Sequence, residues 1–166
     1  LSELVVWYKE AKARFDADAA FKQRAQAQVV KLQSGDAVSL AIWRLICRIS
    51  RIGFKTVYDS LGIVGLEERG ESFYNDRLAA TVSLFEQQGL LTLSDGAACV
   101  FLPGYKNREG DPLPLMIQKS DGGYNYSTTD LAALSHRVKE EQADRIIYVT
   151  DSGQSLHFDM VFSAAK

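Results

Sequence analysis

The fold is decided by residues 145–157, RIIYVTDSGQSLH. The apolar run at 145–150 predicts a β-strand, and the polar residues after it predict a loop that leads into a last helix. Upstream, the apolar run at 115–119 predicts another strand, which is followed by a helix expected to open at Asp130. Strands that alternate with helices in this way are typical of a parallel α/β sheet.

The first sixty residues show helical patterning. Apolar side chains recur at helical spacing, which predicts three helices. Asp16 and Asp18 are candidate caps for the second helix, and Ser34-Gly35-Asp36 is expected to end it and to cap the third. A further helix is expected between a cap at Asn75 and a stop at Gly89.

Turn signals in the middle of the chain predict two β-hairpins. Asp95-Gly96 is typical of a tight hairpin turn between apolar strands. The run SDGG at 120–123 predicts a second hairpin, whose later strand is expected at 124–128, and the stretch 103–112 between the hairpins is predicted to be a polar loop. Ser152 is expected to cap the last helix.

Composition fits one ordinary globular domain: 166 residues, 46% hydrophobic, 24% charged, with a net charge of −2. Cys47 and Cys99 form neither a zinc pattern nor a secreted disulfide framework, which favours a reducing compartment such as the cytoplasm, with an organelle left open. No apolar run approaches the roughly 20 residues of a membrane span. Because the sequence starts at Leu1 and not at Met, a processed chain or an excised piece is expected.

Positive charge is concentrated near the start of the chain. Residues 1–60 contain ten Lys or Arg against six Asp or Glu, whereas residues 61–166 contain nine against fifteen. This balance excludes a globally basic nucleic-acid binder but allows a local basic patch. Four basic side chains at spacings of four, three and four form a basic stripe on one face of the third helix: Arg44, Arg48, Arg51 and Lys55. Such a stripe could follow a phosphate backbone or could be an ordinary solvated face.

Candidate ligand-binding residues lie in the two loops that lead from predicted strands into helices, where open α/β sheets bind ligands. Tyr126 and Asp130 are four residues apart in the first loop, and Asp130 could pair with a planar cation such as a guanidinium or could simply cap its helix. In the second loop, Gln154 and His157 are three residues apart. His157 could contact phosphate or ribose, or the two could be an exposed Gln and a half-buried, satisfied His.

Glu71 is a further carboxylate in an unusual setting, the string GESFY at 70–74. A turn here could expose Glu71 to a site, while Phe73 is expected to enter the core and His136 to face solvent. No Gly-rich phosphate loop, G-x-S-x-G elbow, H-E-x-x-H or calcium loop occurs. The lack of a dinucleotide fingerprint disfavours a Rossmann oxidoreductase, and the residues alone indicate an α/β ligand-binding domain of unknown substrate.

Seven short strings occur in an order that covers nearly the whole chain: YKEAKARFD at 8–16, VVKLQSGD at 29–36, ERGESFYN at 68–75, QKSDGGY at 118–124, TTDLAA at 128–133, DRIIYV at 144–149 and DSGQSLH at 151–157. Taken together they resemble the class I arginyl-tRNA synthetases. Each string is weak by itself, but the ordered set is specific.

The resemblance implies an α/β fold, a Rossmann-like parallel sheet with a mainly helical connective insertion that contains β-hairpins. Residues 1–112 are then expected to be mainly this insertion, and residues 113–166 part of the Rossmann-like catalytic core. The family attaches arginine to its tRNA through an arginyl-adenylate. This implies arginine, ATP with Mg²⁺ and tRNA(Arg) as partners, no membrane, no tightly bound metal, and a monomeric full-length enzyme.

Through the matching strings, the resemblance implies that the arginine pocket of the family is formed here by Glu71, Tyr126, Asp130 and Gln154. His157 is expected near the nucleotide. The basic stripe is the candidate tRNA contact, and no residue is assigned to the chemical step itself. The ATP signature motifs of the family are expected outside this chain, so the chain by itself is expected to be inactive. The alternative is a synthetase-derived module that binds arginine or RNA without catalysis.

Overall fold

The computed structural model describes residues 2–166, except for the side chain of Gln33. The chain forms two compact units, the first ending at Glu67 and the second spanning Glu68–Lys166. Within this described part, no helix is both long enough and apolar enough to cross a membrane.

The first unit consists of helices only, which confirms the prediction for this part of the chain. They are α1 (Ser2–Ala17), α2 (Ala19–Gln33) and α3 (Ala37–Ser60). The cap of α2 is Asp18, as predicted, and its Oδ1 accepts a hydrogen bond from the N–H of Phe21 at 2.9 Å. Gly35 turns the chain before α3 with a φ of 87°. Asp36 then caps α3, because its Oδ2 accepts from the N–H of Ser39 at 2.8 Å.

The cap at Asp36 makes the start of α3 sensitive to acid. Hydrogen bonds from the N–H and the hydroxyl of Ser39 lower the pKa of Asp36 below its ordinary value of 3.8. A carboxyl with a lowered folded-state pKa contributes stability that is present above 3.8 and is lost as the pH falls through the folded-state value. We therefore expect Asp36→Ala to lower the hydrogen-exchange protection of the Ser39 amide at neutral pH, and the wild-type chain to lose the same protection only in acid.

Exchange rates measured by NMR and corrected for their intrinsic pH dependence check this expectation. Asp36→Asn is the control, because an uncharged amide oxygen can still accept the hydrogen bond and should remove the acid step. Equal Ser39 protection in Asp36→Ala and wild type at neutral pH would contradict the role of the cap.

The first unit buries little of its apolar surface. None of the side chains described in residues 2–67 is fully buried. The predicted apolar stripe of α3 is partly buried in its first half and exposed in its second half: Leu40, Trp43 and Cys47 against Phe54, Val57 and Leu61. The helices of this unit therefore owe little of their stability to a core of their own.

The second unit combines helices with one small sheet. Its elements are, in order, a 3₁₀ helix (Glu71–Arg77), α4 (Leu78–Gln87), β1 (Thr92–Ser94), β2 (Ala97–Lys106), β3 (Pro112–Gln118), α5 (Tyr126–Lys139), a 3₁₀ turn (Ser152–Gln154) and α6 (Ser155–Ala164). The strands pair antiparallel in the order β1-β2-β3. Asp95 and Gly96 join β1 to β2 with φ of 49° and 78°, the conformation of a type I′ turn, so the first hairpin is confirmed.

The polar loop predicted at 103–112 is largely strand and tight turn. β2 continues to Lys106 and pairs with β3. Asn107 closes the turn between them, because its Oδ1 accepts hydrogen bonds from the N–H groups of Glu109 and Asp111 at 3.0 and 2.8 Å. An Asx turn of this kind needs only a short polar segment, so the predicted strand ended too early.

The second hairpin, predicted around 120–123, is wrong. Tyr124 makes only an isolated bridge to Gln118. Asn125 then caps α5, and its Oδ1 accepts the first helical N–H at 2.9 Å. Asp130, which was expected to open this helix, lies in its second turn. Asn is among the strongest capping residues, and here it starts the helix one turn earlier than the pattern predicted.

Other predicted caps have mixed outcomes. Asn75 lies inside the 3₁₀ helix, and α4 follows without a side-chain cap. Before α6, the capping side chain is Asp151 and not Ser152, because the Oδ1 of Asp151 accepts from the N–H of Gly153 at 2.8 Å. The chain does leave α4 through Gly89, with a φ of 67°, as predicted.

Residues 145–150, predicted as a β-strand, have no regular secondary structure. Their burial alternates as in a strand: Ile146 and Tyr148 are partly buried, whereas Ile147 and Val149 are exposed. A strand also needs a backbone partner, and none of the three strands in the described part pairs with this run. The sheet that the described residues form is therefore antiparallel and does not include this segment.

The core of the second unit lies between the sheet and its helices. One cluster joins α4, β2, β3, α5 and α6: Phe85, Val100, Leu115, Ile117, Leu131, Met160 and Val161. A second cluster joins the 3₁₀ helix and α4 to α5: Tyr74, Leu78, Ala132 and Ala133. Phe73, expected in the core, is 46% exposed, and the neighbouring Tyr74 is buried instead. His136, expected to face solvent, is buried against both aromatic rings, with centroids 5.4 and 5.8 Å away.

Candidate functional site

Three of the predicted site residues come together where α5 and α6 meet. Oδ2 of Asp130 lies 2.6 Å from Nε2 of His157, which is 27 residues away in the sequence. The ring of Tyr126 contacts the ring of His157 edge-on, with centroids 4.8 Å apart. Tyr126 and Asp130 project from one side of α5 because they are four residues apart. We call Tyr126, Asp130 and His157 the Asp130 cluster.

The start of α5 is anchored so that Asp130 stays accessible. Ser127, Thr128 and Thr129 are buried. The hydroxyl of Thr128 donates a hydrogen bond to the carbonyl oxygen of Ile117 on β3. These contacts turn the opposite face of the helix away from the sheet, and the side chains of Asp130 and His157 remain 28% and 17% exposed.

The Asp130 cluster presents to a ligand a carboxylate that is partly shielded from solvent. A carboxylate provides about four acceptor sites, and the contact with His157 uses one of them. The remaining sites suit a group with several N–H donors in one plane, as in a guanidinium. Partial burial makes such an ion pair stronger than it is at a fully exposed surface. The cluster is therefore able to bind a forked cation.

Gln154 lies at the same end of α6 as the cluster and is exposed. It is the last residue of the 3₁₀ turn that leads into α6. The turn is held by the cap at Asp151 and by the hydroxyl of Ser155, which donates to the carbonyl oxygen of Ser152 at 2.8 Å. Gln154 and His157 are three residues apart and so project from one side of the helix start.

Glu71 is the first residue of the 3₁₀ helix and is exposed. That helix packs on α5 through Phe73 and Tyr74, whose rings contact His136. His136 follows Asp130 by six residues, which is about 9 Å along the helix axis. The convergence of Glu71 and Asp130 on one ligand stays a prediction.

Two residues that the sequence analysis did not select lie beside the Asp130 cluster. Nη1 of Arg137 on α5 donates to the hydroxyl of Tyr148 at 2.6 Å, and the Tyr148 ring packs on Phe158 and Phe162 of α6. Burial raises the pKa of Tyr148; the Arg137 guanidinium partly opposes this, and the Asp130 carboxylate adds to it. Because Arg137 follows Asp130 by seven residues, helical spacing was a signal that could have placed both on one face.

All four side chains of the basic stripe are exposed on α3. Nζ of Lys55 pairs with Oδ1 of Asp59 at 2.7 Å, one turn further on. The predicted helix is present and the four residues keep the spacing of one face, whereas contact with a polyanion stays a prediction.

A cavity of about 830 Å³ lies apart from the Asp130 cluster, among α4, α5 and the end of α6. Its lining includes Arg77 and Glu140, an ion pair in which Nη2 and Oε2 are 3.0 Å apart. The guanidinium of Arg77 lowers the pKa of Glu140. Neither Glu71 nor Asp130 lines this cavity, so it is not the predicted arginine pocket.

Comparison with known proteins shows the class to which the chain belongs. The model of the family described as "tRNA synthetases class I (R), catalytic domain" matches residues 1–166. The chain is therefore a member of the class I tRNA synthetases, within their (R) catalytic-domain family. This confirms the family that the ordered strings predicted.

The relatives that this chain matches are named as arginine–tRNA ligases. The arginine–tRNA ligase of Picosynechococcus sp. is 57% identical over 166 residues and that of Protochlamydia amoebophila is 52% identical, each match covering the whole chain and 28% of the relative. The crystal structure of arginyl-tRNA synthetase from Plasmodium falciparum matches with a TM-score of 0.76 and 36% identity, over 87% of this chain and 25% of that one. The chain thus spans less than a third of the length of these relatives.

The structural match also bears on the fold class. Arginyl-tRNA synthetase is a class I synthetase with a Rossmann-type catalytic domain, so the predicted α/β class is confirmed at this level. The helices and the antiparallel hairpins of the described residues form part of such a domain.

Proposed function

We propose that the complete protein that carries this chain attaches arginine to tRNA(Arg), with ATP as co-substrate and an arginyl-adenylate as intermediate. The observation that carries the proposal is the Asp130 cluster, in which an accessible carboxylate is held by His157 at 2.6 Å. The names of relatives at 52% and 57% identity support the same activity.

In the proposed arginine pocket, Asp130 pairs with the substrate guanidinium. Tyr126 covers one side of the pocket, Gln154 offers an amide that both donates and accepts, and Glu71 supplies a second carboxylate. A planar guanidinium can satisfy several of these acceptors at once. Lysine presents a compact ammonium with fewer fixed donors, so it leaves acceptors unpaired and is rejected.

The proposed reaction has two steps. The arginine carboxylate attacks the α-phosphate of ATP and releases pyrophosphate. The 2′-hydroxyl of the terminal tRNA adenosine then takes the arginyl group from the adenylate and releases AMP. The contribution of this chain is to orient arginine, because positioning and preorganised charge can supply much of the rate enhancement. His157 orients Asp130 and lies near the nucleotide.

The remaining expectations belong to the same proposal. ATP is bound with Mg²⁺, but no group of three or more His, Cys, Asp or Glu side chains in residues 2–166 could hold a metal ion, so no residue here is assigned to it. Residues 1–112 are mainly a connective insertion and residues 113–166 are part of the catalytic core. The complete enzyme is monomeric and cytoplasmic.

ATP–pyrophosphate exchange tests the proposed function. The complete protein is expected to exchange label between pyrophosphate and ATP when arginine is present, and not when lysine replaces it. Both amino acids are assayed with and without tRNA. The 166-residue chain alone is expected to give no exchange, because the ATP signature motifs are expected elsewhere. A complete protein that binds arginine or RNA but neither exchanges label nor charges tRNA would indicate the non-catalytic module instead.

The basic stripe provides a prediction for the tRNA contact. Arg44→Glu combined with Arg48→Glu in the complete protein is expected to raise the KM for tRNA about tenfold at low salt, because phosphate contacts are lost and like charge is added. The effect should shrink as salt increases, and the KM for arginine should stay unchanged. Steady-state aminoacylation at several salt concentrations measures both.

The matched control for the stripe is Lys22→Glu combined with Arg24→Glu, which makes the same change in charge at exposed positions of α2. It should leave the KM for tRNA near the wild-type value. If the stripe variant also leaves it unchanged at low salt, the four residues are an ordinary solvated face.

A further inference from the structure

A second tie between α5 and α6 lies beside the Asp130 cluster and is made by a side chain that belongs to neither helix. Tyr148 comes from the segment 145–150 and accepts a hydrogen bond from Nη1 of Arg137 on α5 at 2.6 Å. Its ring packs on Phe158 and Phe162 of α6, with centroids 4.9 and 5.0 Å away. Tyr148 therefore contacts both helices at once.

The tie is continuous with the Asp130 cluster through α6. On α6, the ring of Phe158 contacts the ring of its neighbour His157, with centroids 4.9 Å apart. On α5, Arg137 shares a face with Asp130, because the two are seven residues apart. The 2.6 Å contact between Asp130 and His157 completes the connection. Four contacts thus link five side chains in an open series: Arg137, Tyr148, Phe158, His157 and Asp130.

The hydroxyl of Tyr148 gives this series of contacts a directional hydrogen bond. Ile147 and Val149, on either side of it, are 71% and 93% exposed, so Tyr148 and the partly buried Ile146 anchor a largely exposed run. Burial raises the pKa of Tyr148, and the phenol therefore stays protonated at neutral pH. A neutral phenol that accepts from a guanidinium holds a defined geometry, whereas a purely apolar ring would only fill space.

We propose that Arg137 and Tyr148 are positioning residues, a brace that sets α6 against α5 so that His157 meets Asp130. This inference rests on the proposed function in taking arginine as the substrate, whereas the contacts of Arg137 and Tyr148 are present in the structure itself. Without the hydroxyl, α6 keeps its core packing through Met160 and Val161 but loses this contact with α5, so the His157 contact that orients the Asp130 carboxylate is weakened. Displacements of about 1 Å at a binding group can cost about 100-fold in rate.

Tyr148→Phe in the complete protein tests the brace, because it removes one hydroxyl and keeps the ring. We expect the KM for arginine to rise about five- to tenfold with the KM for ATP unchanged. The matched control is Tyr105→Phe, whose hydroxyl ties β2 to Asp159 and Ser163 of α6 at 2.8 Å each. Those two residues project from the far side of α6 relative to His157, so this variant should lower Tm and spare the KM for arginine. An equal rise in the KM for arginine in both variants overturns the proposal.

A double-mutant cycle identifies the hydrogen bond as the cause. Arg137→Met removes the donor and keeps most of the aliphatic stem. If both residues act through one bond, the double variant with Tyr148→Phe should be no worse than the more severe single variant. Additive effects on the KM for arginine overturn the brace.

Two further results separate the brace from the proposed function. If Asp130→Ala leaves arginine use intact, the proposed function fails, whereas a damaging Asp130→Ala with a silent Tyr148→Phe removes only the brace. The imidazole NMR resonances of His157 provide a readout without substrate. They should shift in Tyr148→Phe and not in Tyr105→Phe, and unchanged resonances in Tyr148→Phe overturn the brace whatever the protein catalyses.

Discussion

Asp130→Ala in the complete protein is expected to lower kcat/KM for arginine by about 100- to 1000-fold, because two charge-assisted hydrogen bonds to the guanidinium are lost. The KM for ATP should stay near its wild-type value, since the Asp130 cluster is proposed to hold the amino acid. The loss should be large because the carboxylate is only 28% exposed and its electrostatic interactions are only partly screened. Arginine-dependent ATP–pyrophosphate exchange, measured over a range of arginine concentrations, determines the value.

Two variants control for general damage at this position. Asp130→Asn keeps the size and one acceptor oxygen but loses the charge, so it should fall between wild type and Asp130→Ala. Asp159→Ala removes an exposed carboxylate from the far side of α6 and should leave arginine kinetics unchanged. Near-normal arginine kinetics in Asp130→Ala would remove Asp130 from the pocket and the proposed function with it.

The largest effect on stability is expected from Ile117→Ala. The side chain of Ile117 is fully buried, at 0% exposure, in the cluster that joins β2, β3, α5 and α6. Truncation there leaves a cavity and is expected to destabilise the second unit by about 2–5 kcal/mol. The carbonyl oxygen of Ile117 also accepts the hydroxyl of Thr128, so the cavity would open beneath the anchored start of α5.

Native-state hydrogen exchange at the amides of β2 and β3 measures this loss locally, which matters in a chain of two units. Ile117→Val removes a single methylene and should cost only about 0.5–1.5 kcal/mol. Leu93→Ala, at an exposed position of the same sheet, should change little. A loss below about 1 kcal/mol for Ile117→Ala would show that the site collapses around the smaller side chain.

Local signals predicted much of the secondary structure. The caps at Asp18 and Asp36 each bond an N–H three residues further on, and the turn at Asp95-Gly96 needs only residues that tolerate positive φ. Such contacts join residues that are close in the sequence, so the spacing of residue types is enough to predict them. The three helices of the first unit and the first hairpin were predictable for this reason.

Competing local signals needed tertiary contacts to decide between them. Asn125 and Asp130 are both acceptable caps, and the helix starts at the earlier one because Thr128 reaches the carbonyl oxygen of Ile117, 11 residues away. Phe73 and Tyr74 are both aromatic, so hydrophobic periodicity does not distinguish them, yet only Tyr74 is buried. Which ring turns inward depends on the α5 surface that the 3₁₀ helix packs against.

The sequence by itself determined the family, through strings whose order spans the chain, and it indicated Tyr126, Asp130 and His157 as site residues together with Glu71 and Gln154. Only the tertiary structure decided that Asp130 contacts His157 across 27 residues, that Tyr148 ties α5 to α6, and that residues 145–150 remain outside the described sheet. Propensity and spacing report on neighbours within a turn or two of the chain, whereas a strand's pairing and a helix-to-helix contact depend on partners far away in sequence, which no local pattern encodes.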